Sequence, residues 1–171
     1  EIIELPSKGL LYPETSALSS GKVEMKYMTA REEDILTSAS LIKQGIVLDK
    51  LFQSLIVTPI DYNELLVGDK NAIMIAARVL GYGKEYSFKF RNESTGNDDE
   101  YTLDLTTLDE KSLDENIFEK GKNEFEFQLP KSGNTVTFKL LTGKDDKAID
   151  AELKGLQKID PNGSFENTTR L

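Results

Sequence analysis

The stretch DYNELLVGDKNAIMIAARVLGYGKEYSFKF, residues 61–90, decides the fold. Its middle, residues 71–80, carries Ile73, Met74, Ile75, Ala76, Ala77, Val79 and Leu80, which puts apolar groups on almost every side of a helix. A helix apolar all round is normally buried against several partners. Asp69 is placed to cap its start, and Gly81 and Gly83 to stop it. The period then changes from helical to two, with Tyr86, Phe88 and Phe90 alternating with Ser87, Lys89 and Arg91. The spacing predicts one buried helix feeding one half-buried strand. Nothing in the stretch carries a catalytic pattern.

Upstream, residues 1–13 read EIIELPSKGLLYP, and Pro6 and Gly9 punctuate them into an extended arm with a turn. Leu10, Leu11 and Tyr12 are consecutive, and alternation cannot hide all three on one side. We read Leu5, Leu10, Leu11 and Tyr12 as a contact surface for a partner chain. The alternative is that they form a strap packed on the same chain. Residues 22–28 alternate as a strand, with Val23, Met25 and Tyr27 inward. Thr29 and Glu32 make a capping box for a helix over 30–43, which Gly45 ends. Leu48, Leu51, Phe52 and Leu55 predict a second helix over 48–56, and Asp61 caps a short turn over 62–66.

Downstream, a polar loop over 91–100 joins the first strand to Tyr101, Leu103 and Leu105, which reads as an antiparallel hairpin. Residues 106–121 are acidic and weakly patterned, with one helical turn expected near Leu113. A second hairpin follows, with Phe125, Phe127 and Leu129 on one strand and Val136, Phe138 and Leu140 on the other. Thr142 or Asp145 starts a last helix over 144–158, and Pro161, Asn162 and Gly163 end the regular structure. The order of elements gives an α+β class: a helical N-terminal half packed on an antiparallel sheet of hairpins. The expected divisions are an arm and loop (1–21), a single α+β domain (22–158) and a C-terminal tail (159–171). The chain lacks an initiating Met and stops at TTRL, so we read it as part of a longer one. The predicted core joins Ile73, Ala76, Val79 and Leu80 to Tyr86, Phe88, Leu103, Phe127 and Phe138.

Composition narrows the chemistry. At 171 residues, 38% hydrophobic and 30% charged, the chain is in the globular range and not that of a disordered one. No apolar run approaches the roughly 20 residues of a membrane span, and no signal peptide is visible. A net charge of −9 disfavours nucleic acid and anionic lipid and suits a basic protein partner. There is no cysteine, hence no disulfide, thiolate metal site or thiol nucleophile, and no histidine, hence no Ser-His-Asp triad. The acids Asp98, Asp99 and Glu100 lack the spacing of a calcium loop. Asp145, Asp146 and Asp150, like Glu32, Glu33 and Asp34, sit at helix starts, where the macrodipole favours them. Gly81-Tyr82-Gly83 follows a helix, whereas phosphate loops precede one. No catalytic residue, cofactor, metal or small-molecule substrate is expected.

Taken together, LPSKGLLYP (5–13), TAREEDIL (29–36), the stretch quoted first, and LPKSGNTVTFKLLTGKDDKAI (129–149) resemble the baseplate hub family of T-even-like contractile-tailed phages. The resemblance covers most of residues 4–150. It implies a small, non-enzymatic protein, made in the host cytoplasm, that acts in assembly of the tail's baseplate hub. Its partners would be other hub or tail proteins. It would be either a structural subunit in the virion baseplate or a transient assembly chaperone. A hub-associated cell-wall hydrolase, the alternative from another class, would need opposed acids across a cleft.

Overall fold

A computed structural model describes residues 1–108, 114–160 and 163. The class is α+β. The arm does not stay loose. Its strand β1 (Ile2–Glu4) pairs antiparallel with β2 (Lys22–Glu24), with Ile3 opposite Val23. β2 is shorter than the expected 22–28, because Met25 bridges to Ile56 and the ladder passes to residues 55–57. Val23 and Met25 point inward, but Tyr27 does not.

The expected helix over 30–43 is two helices, α1 (Ala30–Thr37) and α2 (Ala39–Gln44). Ser38 leaves helical geometry at ψ 104° and its hydroxyl accepts the Leu41 N–H at 3.5 Å, so the same residue ends one helix and caps the next. α3 (Val47–Leu55) buries Leu51, Phe52 and Leu55, as their spacing requires. A 3-10 turn, Tyr62–Glu64, follows, capped by Asp61.

The central helix, α4 (Val67–Tyr82), starts earlier than expected. Two orphan N–H groups at its start are satisfied from far along the chain. Leu66 N–H donates to the Tyr12 hydroxyl at 2.9 Å and Val67 N–H to the Leu141 carbonyl at 2.9 Å. Asp69 therefore does not cap the helix. It lies inside the first turn, fully buried. Gly83, at φ 82°, ends the helix.

Among the described residues the strands form three separate two-stranded ribbons, not one sheet. β3 (Glu85–Arg91) pairs with β4 (Asp98–Asp104), and β5 (Phe125–Gln128) with β6 (Thr135–Phe138). The last helix, α5 (Gly143–Ile159), is capped by both residues offered as its start, in a capping box: Asp145 accepts from the Thr142 N–H and hydroxyl, and Thr142 accepts from Asp145 N–H. Asp49 of α3 ties this helix to the body, pairing with Lys70 of α4 at 3.2 Å and Lys147 of α5 at 2.7 Å. Both lysines stand over the Tyr62 ring, at 5.0 and 6.0 Å. The turn expected near Leu113 lies outside the described residues, as do Pro161, Asn162 and most of the tail.

The core corrects the expectation most. It is built from the arm and the helices: Leu5, Leu11, Tyr12 and Leu18 meet Val23, Met25, Leu51, Phe52, Leu55, Leu65 and Ile73. Ala76 and Leu80 of α4 pack on its margin. Tyr86, Phe88, Leu103, Phe127 and Phe138, assigned to the core by their alternation, are all exposed. A two-stranded ribbon offers one apolar face, and the helical body has already closed over its own core without it.

Candidate functional site

The four arm residues expected to meet a partner divide three to one. Leu5, Leu11 and Tyr12 are buried in the chain's own core, and Leu10 is half-buried. The arm turns back at Lys8 and Gly9, both with positive φ, and Gly9 lies against the Ser19–Gly21 backbone, where a Cβ would clash with the Ser19 carbonyl. This turn aims Ser7 and Tyr12 at α4. The Ser7 N–H and hydroxyl donate to the Asp69 carboxylate at 3.0 and 2.7 Å, and the Tyr12 hydroxyl donates to it at 2.5 Å. Burial, then the hydrogen bond to Asp69, pushes the Tyr12 hydroxyl well above the ordinary tyrosine value. Asp69 is 1% exposed and has a donor on each oxygen. It is a structural anchor, and with Ser7 it also lines a cleft beside the arm. Leu10 keeps some surface, and with Leu66, Phe118 and Leu140 it lines the same cleft, of about 350 Å³.

The TAREEDIL segment is likewise structural. Glu32 is 0% exposed, and its carboxylate accepts from the Thr29 N–H and hydroxyl, the Ser54 hydroxyl and the Lys26 ammonium. The Ser54 and Thr29 hydrogen bonds hold its carboxyl well below the usual range, against the opposing effect of burial. Of the other acids singled out, Asp145 and Asp99 have local partners. Lys139 and Thr142 hold Asp145 down to about 2. Asp98 and Glu100 stand across β3–β4 from Arg91 and Lys89, and Asp99 accepts from the Asn92 side chain. Among the described residues, no three carboxylates are grouped closely enough to hold a metal ion. No helix among them is long and apolar enough to cross a membrane.

What the fold leaves open is apolar. On the β3–β4 ribbon, alternation and register place Tyr86, Phe88, Phe90, Tyr101 and Leu103 on one face. Tyr86 stacks toward Phe88 at 5.9 Å, and Phe88 on Tyr101 at 6.0 Å. Yet Phe88 is 41% and Phe90 58% exposed, and no residue of β3 is buried. The root of the ribbon is fixed. Leu105 N–H donates to the Lys84 carbonyl, and Arg78 of α4 donates to the Gly83 and Glu85 carbonyls. The β5–β6 ribbon is anchored by Phe125, which packs edge-on to Phe118, while Phe127, beyond it, is 54% exposed. A groove of about 470 Å³ runs along α4 past Ile75, Val79 and Leu80 to Leu105 and Leu108, so the helix apolar on all sides is covered on only some of them. A contiguous exposed apolar surface of this kind marks an interaction or ligand-binding surface.

No match to this chain was found among the curated proteins or the solved structures. A family model described as T4 bacteriophage base plate protein matches residues 11–154, from the end of the arm, through the core and both exposed ribbons, into α5. The chain therefore belongs to the T4 bacteriophage base plate protein family.

Proposed function

We propose that the chain is a structural subunit of the phage tail baseplate hub, working through protein–protein contacts and without catalysis of its own. Family membership supports a structural or assembly role in the baseplate. The observation that carries the finer reading is the ribbon face of Tyr86, Phe88, Phe90, Tyr101 and Leu103, held open on a body whose core is complete without it. A subunit built into a larger assembly needs such a face. The half-exposed Leu10, at the mouth of its cleft, is a second point of contact in this proposal. The protein would be made in the host cytoplasm and end in the tail baseplate.

Quantitative mass spectrometry of purified, finished tails tests this. A fixed number of copies per tail supports the subunit reading. Presence in baseplate intermediates with absence from finished tails would overturn it in favour of a transient assembly chaperone.

A further inference from the structure

The β3–β4 ribbon has an apolar face, and its charges say what can sit on that face. On the opposite, polar face each cation has an acid across the ribbon from it. Lys89 stands across from Glu100, Arg91 across from Asp98, and the Ser87 and Thr102 hydroxyls lie 2.8 Å apart. On the aromatic face the one charged residue among the paired positions is Asp99, opposite Phe90. Residues 84–104 hold six carboxylates against three cations, with Glu85 and Asp104 at the root and Glu93 at the tip. The ribbon therefore carries a net negative charge, with Asp99 on the aromatic face and Glu93 at the tip, while Asp104 on the polar face is paired with Lys84 at 2.7 Å. The rings are negative on their faces as well, and the Arg78 guanidinium already stands 5.2 Å from the Tyr82 ring and 5.8 Å from the Tyr86 ring.

Water alone is a poor cover for such a face, because an isolated two-stranded ribbon is marginal without something packed on it. A second copy of this chain is a poor cover too. Each copy carries a net charge of −9 and would bring Asp99 and the same net-negative ribbon against its twin. We propose that the aromatic face of the β3–β4 ribbon seats a different baseplate protein, one whose surface is apolar at its centre and ringed by lysine and arginine. The inference rests on the baseplate reading above and adds the chemistry of the partner. Apolar burial supplies the affinity, and the opposite charges supply the orientation and the choice of partner.

The test mixes the full chain with each of the other baseplate proteins of the same phage, purified singly, and measures binding by calorimetry. One member of that set should bind. Its affinity should fall about tenfold or more between low and high salt, as for charges facing each other across solvent. Asp99→Lys should weaken it by about tenfold, and Phe88→Ser with Tyr101→Ser by about a hundredfold or more. The serine variant should melt with the wild type, since its changes lie in solvent. If it does not, Phe90→Ser, nearer the tip, replaces it. Binding that ignores both the salt and Asp99→Lys would overturn the charge assignment, and binding that survives the serine changes would overturn the site. Failure of every member to bind would also overturn the proposal. So would a dimer of the chain itself that the serine changes abolish, since a second copy would then be the occupant. Absence of the chain from finished tails, by contrast, ends the subunit reading and leaves this binding result standing.

Discussion

At the residue scale, two buried acids do different work. Asp69 clasps the arm, and the Tyr12 hydroxyl is bonded in two directions, to the Asp69 carboxylate and from the Leu66 N–H. Tyr12→Phe keeps the ring's packing and leaves a buried N–H without an acceptor and a carboxylate with one donor fewer. It should cost about 1–3 kcal/mol in urea denaturation. Loss of less than about 0.5 kcal/mol would mean that water replaces the hydroxyl. Glu32 is the pH-sensitive one. Its carboxyl is held below its ordinary 4.5 in the folded chain, so near that value the unfolded chain binds more protons. The stability it contributes is complete above the ordinary value and drains away as pH falls through it toward the folded one. Glu32→Gln should melt lower than wild type at neutral pH, and its midpoint should fall less steeply between about pH 5.5 and about pH 3. Parallel curves for the two proteins would remove Glu32 from the acid response.

At the scale of elements, the arm and the ribbon exchange the roles their composition suggests. The arm is short, proline-punctuated and poor in regular structure, yet it fills the core. The ribbon is long and regular, yet its apolar face stays in solvent. The contrast can be measured. Leu11→Ser with Tyr12→Ser should lower stability by several kcal/mol, as for truncated core side chains. Phe88→Ser with Tyr101→Ser should stay within about 1 kcal/mol of wild type. Equal losses from the two pairs would show that the ribbon face is packed in solution.

At the scale of the whole molecule, the core closes without β3 and β4, so the ribbon should be removable. The Lys84 carbonyl and the Leu105 N–H are hydrogen-bonded at 2.9 Å, so a short glycine turn can replace residues 85–104 without moving either end. The shortened chain should still unfold cooperatively by circular dichroism, with a midpoint within about 5 °C of wild type. A molten or insoluble product would mean that the ribbon supports the body. Ile73→Asp makes the opposite case. Ile73 is fully buried under the arm and α3, and an unpaired charge there should abolish soluble expression. A soluble, cooperatively melting Ile73→Asp protein would show that α4 is not the central helix.

The element types were legible in the sequence because local rules set them. Alternation placed the four hairpin strands, the 3.6-residue period placed α3 and α5, an unbroken apolar run placed α4, and either Thr142 or Asp145 marked the start of the last helix. The break at Ser38 was written locally too, but a serine inside an apolar helical period reads equally well as a solvent-facing position. The start of α4 was not local: the groups that satisfy it, Tyr12 and the Leu141 carbonyl, lie 54 and 74 residues away from Leu66 and Val67. The choice of interior was the other matter left to the tertiary structure. Period two marks which face of a strand is apolar, but it does not say whether anything in the same chain covers that face. Here the arm, anchored by Asp69, covers the helices in the place a ribbon would otherwise fill. The aromatic residues that looked like core became the surface, because one helical layer buries one apolar face and the arm occupies it.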